Sequence, residues 1–263
     1  MPISGISQGL GIGGGATATS SGAPGGGAPW ANEYSVAFDG TNEYMDAGTS
    51  SDYSIVGGGS ISYWIYPSFP MASLTESVGK RSTAGWQITQ SNVGINCFIY
   101  VFNHSFAGAG PVVTVNNTAA AQWYLITNVF HASGGATMYL NDGAAGASGT
   151  GQTSSKPSYS FTEDASAPLY FARHPTSITR CFPGNMDEIA VFSSELSASD
   201  VSDIYNGGAA IDLGLDGLDL SPASWWRMGD NDGATGSTIT NQGSGGNNGT
   251  LTNGPTFSTT VPS

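Results

Sequence analysis

Apolar residues fall on every second position through much of this chain. In "YSVAFDG" (residues 34–40) Tyr34, Val36 and Phe38 alternate with small partners, the period of a strand with one buried face. In "SISYWIYP" (60–67) Ile61, Tyr63 and Ile65 share one face while Trp64 and Tyr66 share the other. The same texture marks residues 85–91, 94–103, 122–132, 167–174 and 184–192, and "GATMYLNDGAAG" predicts a hairpin turning at Asn141–Asp142–Gly143. About eight strands separated by Gly/Ser/Asn/Pro turns predict an all-β chain built as an antiparallel two-sheet sandwich or jelly roll.

One short helix interrupts the pattern. Ser197 is an N-cap with Asp200 three residues on, Leu196 and Val201 form a staple, and Val201, Ile204 and Tyr205 share a face. Asn206–Gly207–Gly208 closes it through a left-handed residue. Beyond a loop, residues 223–258 add a strand around Trp225–Met228 and another near Leu251. Residues 1–30 are Gly/Ser/Ala/Pro-rich without a period and read as an arm. The expected domain is 31–263, with 31–208 holding the main strands and 221–263 completing them.

Composition narrows the function. Charged residues make up 10% of the chain, against roughly 25% in an ordinary soluble protein. Nineteen acids against six Lys and Arg give a net charge of −13, which repels phosphate backbones and anionic membranes. No window reaches the ~20 apolar residues of a membrane span. The N-terminus has neither a basic region nor a continuous apolar run, so no secretory signal is expected. An outside-like composition without export is the expectation for a phage virion protein, made in the cytosol and released by lysis onto the virion surface; an extracellular protein is the alternative. Its arm would then engage other virion proteins, or copies of the same chain as a homo-oligomer. Cys97 and Cys181 are expected as free buried thiols.

The stretch "GNMDEIAVF" sets Asp187 beside Glu188. Neighbours in a strand point to opposite faces, so these acids are not expected to converge on a substrate. A glycosidase needs two carboxyls about 5–9.5 Å apart, and no E-x-D-x-x-E pattern supplies them. His104, His131 and His174 have no Ser or Cys partner in a recognisable motif. No enzyme is expected.

"VAFDGTNEYMDAG", "GSISYWIYP", the "QWYLITNVF…ATMYLNDG" pair, "GNMDEIAVFSSELSASDVSDIYNGG" and "WWRMGDNDGATGSTITNQGSGGNNGTLTNGP" together resemble the laminin-G-like domains of the concanavalin A-like lectin/glucanase superfamily. The last motif usually precedes the FDG strand in that family and here follows the helix. The resemblance implies a laminin-G-like sandwich and a lectin or adhesion role. It also implies a calcium ion held by Asp39, the Gly40 carbonyl and Asp187, with Glu43 where the family carries a second Asp. The alternative is that Asp39 caps a turn and Asp187 accepts backbone hydrogen bonds. Asp230 and Asp232 are further candidate cation ligands. For a surface glycan, Tyr44, Trp86 and Trp226 are the candidate stacking aromatics, set against the reading that such residues fill the core.

Overall fold

The structure is a computed structural model that describes residues 30–54, 56–68, 74–82, 84–94, 97–104, 108–116, 122–142, 152–157, 163–214, 218, 220–245 and 247–263, with backbone alone for 91–94, 97–104, 108–116, 142 and 152–157. The arm expected over residues 1–30, and the partner contacts assigned to it, lie outside the described residues apart from Trp30. One compact unit spans Ala31–Ser263.

The strands are β1 (Ser35–Asp39), β2 (Tyr44–Asp46), β3 (Gly59–Pro67), β4 (Leu74–Arg81), β5 (Gly85–Gly94), β6 (Cys97–His104), β7 (Gly108–Asn116), β8 (Tyr124–Phe130) and β9 (Gly135–Asp142). They continue with β10 (Gln152–Pro157), β11 (Leu169–Phe171), β12 (Arg173–His174), β13 (Ser177–Cys181), β14 (Pro183–Phe192), β15 (Ser224–Trp226), β16 (Thr238–Ile239), β17 (Gly249–Thr252) and β18 (Thr256–Ser258). The first sheet runs β10-β9-β8-β3-β14-β1-β18, with β15 also on β14. The second runs β16-β17-β2-β11-β4-β5-β6-β7, with the β12–β13 hairpin attached to β4. Pairing is antiparallel throughout except for the β13–β4 bridge. The fold is the expected jelly-roll sandwich.

The alternation predicted from sequence places the core. Val36, Phe38, Ile61, Tyr63 and Ile65 from the first sheet meet Met45, Val78, Ile88, Leu169 and Phe171 from the second. At roughly 1.5–3 kcal/mol per large apolar side chain removed from water, this layer is the main source of stability. Trp226, fully buried, lies within 6.0 Å of Tyr53 and 5.7 Å of Phe171, so the C-terminal strands complete the core rather than decorate it.

The helix α1 (Ala198–Tyr205) has the full capping box, with Ser197 accepting from the Asp200 amide and Asp200 accepting from the Ser197 amide. Asn206, left-handed at φ 44°, ends it. Its apolar face covers the outside of the first sheet, where Tyr205 stacks on Trp64 at 5.7 Å. No described helix is long and apolar enough to cross a membrane.

One expectation changes and another is met for one of its two residues. Asn141 and Asp142 are not a turn: they continue β9, opposite Leu125 and Tyr124, and the connection to β10 falls outside the described residues. Cys181 is a free buried thiol, whereas the Cys97 side chain lies outside the described residues.

Candidate functional site

The two acids of "GNMDEIAVF" do converge, because the strand is not regular there. Asp187 pairs with Trp64 and Ala190 with Ser62, so β14 carries one extra residue, and Glu188 takes the left-handed conformation at φ 43°. Met186 and Ile189 both reach the core while Asp187 and Glu188 both face outward from the sheet. Their partners lie within the protein. Glu188 Oε2 accepts from Trp225 Nε1 at 2.5 Å, and Oε1 accepts from Arg227 Nε at 3.1 Å. Arg227 continues to Asp230 Oδ2 at 3.0 Å and to the Ala31 carbonyl, and Asp230 Oδ1 accepts from the Glu33 and Tyr34 amides. Asp187 accepts from Asn32 Nδ2 at 3.1 Å and from the Glu188 amide at 2.8 Å.

Two carboxyls, Glu188 and Asp230, therefore flank one guanidinium, with buried Asp187 next to Glu188. Burial, then the negative charge of Glu188, holds the Asp187 carboxyl well above the usual carboxylate range. Burial also raises Glu188, opposed by Arg227 and Trp225. Glu188 has the Arg227 cation against it whereas Asp187 has only neutral donors, so Asp187 holds its proton the more strongly of the two. This cluster fastens residues 31–34 and 225–230 to the central strand.

The residues assigned to calcium do not fit the ion together. Asp39 pairs with Pro183, four positions from Asp187, a separation of about 13 Å along the strands. Asp39 Oδ1 instead accepts from the Thr41 and Asn42 amides and caps the turn through Gly40. Asp230 serves the network above, and Asp232 accepts from the Thr240 amide and hydroxyl. Among the described residues no group of three or more His, Cys, Asp or Glu is arranged to hold a metal. Two of the stacking candidates are also displaced: Trp86 and Trp226 are 2% and 0% exposed, both inside the core, so neither offers a ring to a sugar. Alternation along β5 and β15 turns these side chains inward.

Tyr44 stands differently. Met45 and Phe171 point into the core, so Tyr44, Asp46 and Tyr170 project from the outer face of the second sheet. The Tyr44 and Tyr170 rings meet edge to face at 5.7 Å, 83° apart. The Arg173 guanidinium lies 4.5 Å from both ring centroids. A left-handed Ala172 (φ 63°) resets the alternation after Phe171 and returns Arg173 to the side of Tyr170. Pro175 rests on Gly79, where a Cβ would overlap its ring, so the β12–β13 hairpin lies flat on β4. All three patch residues are half-buried, held in place yet reachable.

Beside this group, Arg180 Nη1 lies 3.4 Å from Glu76 Oε1, and Arg81 Nη1 donates to Gln87 Oε1 at 3.2 Å. Glu76 is 0% exposed, and burial pushes its carboxyl up to about 7 against the pull of Arg180. Burial, then the charges of Arg180, Arg81 and Arg173, pushes the His174 imidazole down to about 4. Tyr170, Arg173 and this arginine cluster were missed in the sequence; the signal was two of six cations flanking one short hairpin.

One further constellation went unforeseen. His131 contacts Glu195 Oε2 at 2.7 Å through Nδ1 and Thr137 Oγ1 at 2.9 Å through Nε2. Thr137 is buried, and Glu195 also accepts from the Ala132 amide at 2.8 Å. The group pins the β8–β9 turn to the segment before α1.

The family model of laminin-G-type domains in the concanavalin A-like lectin/glucanases superfamily matches residues 39–202, and the chain belongs to that family. Among solved structures, a candidate carbohydrate-binding protein from Bacteroides ovatus aligns with TM-score 0.57 and 18% identity. The alignment covers 88% of this chain and 61% of that one, so this chain spans about three-fifths of its length. A heptameric pentraxin from Limulus polyphemus aligns with TM-score 0.49 and 11% identity over 66% of this chain and 82% of that one. Domain 4 of an extracellular arabinanase from Geobacillus stearothermophilus, solved with arabinotriose, aligns with TM-score 0.45 and 17% identity over 65% and 75%. These likenesses describe the fold. A comparison with curated protein sequences finds none that matches.

Two outcomes follow from these charges. Arg227→Met leaves Glu188 and Asp230 buried without their cation and is expected to cost about 3–5 kcal/mol in denaturant unfolding; a loss below about 1 kcal/mol would show that the cluster fastens nothing. The second concerns pH. Glu76 binds more protons folded than unfolded, so its contribution is full below the unfolded value of 4.5 and is lost as pH rises through about 7. His174 has the opposite sign and contributes fully only above 6.5. Between pH 6.5 and 8 the melting temperature should therefore fall, and less steeply in Glu76→Gln. An unchanged slope in that variant would mean Glu76 is ionised throughout.

Proposed function

We propose that this chain is a non-enzymatic carbohydrate-binding module whose sugar seat is the outer face of the second sheet at Tyr44, Tyr170 and Arg173. The observation that carries the reading is the grouping itself: two tyrosine rings and a guanidinium, each half-buried, held together on a rigid sheet. Sugar sites combine apolar ring faces with a few placed polar groups, and the phenol hydroxyls, Arg173 and Asp46 supply the latter. The acids that would suit a glycosidase, Asp187 and Glu188, are committed to internal partners. The cavity lined by Tyr53, Ile61, Trp86 and Phe130 holds about 10 Å³, far too little for a sugar.

The finer reading is a phage virion component that displays this module beyond its Gly-rich arm. It is favoured by a compact unit that begins at Ala31, directly after residues 1–30 with their linker-like composition. Deleting residues 1–30 should then remove the chain from purified particles while its thermal unfolding stays intact; normal incorporation would end that reading.

For the module, a glycan array probed with the full chain should give a bound set of sugars. Tyr170→Ala should weaken binding about tenfold or more, the equivalent of roughly 1.4 kcal/mol, with melting unchanged. Binding retained by a Tyr44→Ala/Tyr170→Ala double variant would move the site elsewhere, and an array without any bound sugar would refute the function.

A further inference from the structure

Positive charge is scarce in this chain and its placement is uneven. Of the described cationic side chains, Lys80 is buried against Glu163 and Arg227 is buried in the carboxyl cluster. The three that reach solvent, Arg81, Arg173 and Arg180, all lie around His174 on the outer face of the second sheet. Three like charges gathered on one face repel one another, and an anion received there relieves that repulsion.

The three guanidiniums are also poorly used by the protein. Among the described residues Arg173 donates from Nε to the His174 carbonyl at 3.1 Å, Arg81 to Gln87 and Arg180 to Glu76. Each carries five N–H donors, so most remain for a ligand. Two buried polar atoms of the same face, Glu76 Oε2 and Arg81 Nε, have no hydrogen-bond partner. The acids around the cluster have partners of their own: Glu76 pairs with Arg180, Asp46 accepts from the Gly48 amide beside Tyr170, and Asp39 and Glu43, next to Cys181 and Tyr44, accept from backbone amides.

We infer that the sugar bound at this patch carries a carboxylate, received by the Arg173 fork and drawn by Arg81 and Arg180. This deepens the carbohydrate-binding reading and rests on it. The planar guanidinium is held by cation–π contact with both tyrosines and uses only Nε within the described protein, and the remaining Nη edge matches a carboxylate bidentately. At physiological ionic strength charges beyond about 8 Å are largely screened, so the distant acids do not cancel the patch. They do disfavour a long polyanion lying along the surface. The ligand class is therefore an oligosaccharide with an isolated acidic residue, a uronic or sialic acid within an otherwise neutral chain.

The test is calorimetric titration of the full chain with trisaccharides ending in galacturonate, glucuronate or mannuronate, each as free acid and as methyl ester, and with sialyllactose against lactose. The expected result is at least one acid that binds tenfold or more tightly than its neutral counterpart, with the arms separating uronate from sialate. Arg173→Gln should abolish that preference, and Arg173→Lys, which keeps the charge but loses the fork, should recover only part of it. Equal affinity for acids and neutral counterparts, or binding of neutral sugars alone, would overturn this inference and leave the sugar-binding reading standing. Failure of every sugar here and on the array would overturn both. Melting curves of the variants separate lost binding from lost folding.

Discussion

One guanidinium, that of Arg227, stands between Glu188 and Asp230 and also reaches the Ala31 carbonyl. The entry to the compact unit and the segment around Trp225–Asp230 both fasten to it. The entering segment has no regular structure before Ser35, and the returning one contributes only three residues at β15. Neither could hold against the sheet through backbone pairing alone. The ionic contacts are possible because an extra residue in β14 turns two successive acids to one side, at a left-handed backbone that costs on the order of 1–3 kcal/mol. That strain persists because Met186 and Ile189, on either side of the bulge, are both fixed in the core.

Closure of one face leaves the other open. Outside the first sheet, α1, Trp64 and the Arg227 cluster occupy the surface around β14. Outside the second sheet the β12–β13 hairpin lies on β4, and its Arg173 is turned onto Tyr44 and Tyr170. The partition of charge follows the same division. One arginine is consumed in holding the fold, and the three others are left around His174. Glu76, buried beneath them, keeps a carboxyl whose ionisation is balanced between burial and Arg180.

The fold was largely legible because its long strands carry a plain two-residue period and its helix carries a complete cap. One strand that escaped notice has polar interior positions. In "LTESVGKR", Glu76, Ser77 and Lys80 are buried, and they erase the apolar alternation although the segment is a central strand, β4. The site was less legible for a related reason. Sequence alternation assigns Asp187 and Glu188 to opposite faces and leaves Arg173 pointing inward, and a single left-handed residue reverses each assignment. Glu188 and Ala172 are not residues that advertise that conformation, as glycine would. Trp86 and Trp226 looked available for stacking because burial depends on which face of a strand is covered, and that is settled by tertiary packing.

The chain has four arginines, and their Nε–H signals in a nitrogen-15 spectrum would report both halves of this account at once. During titration with a sugar that the chain binds, the Arg173 signal should move and saturate while that of Arg227 stays fixed and exchanges slowly with water. An Arg173 signal unmoved at saturating sugar would contradict the placement of the site, and rapid solvent exchange at Arg227 would contradict its role as the clasp of the fold.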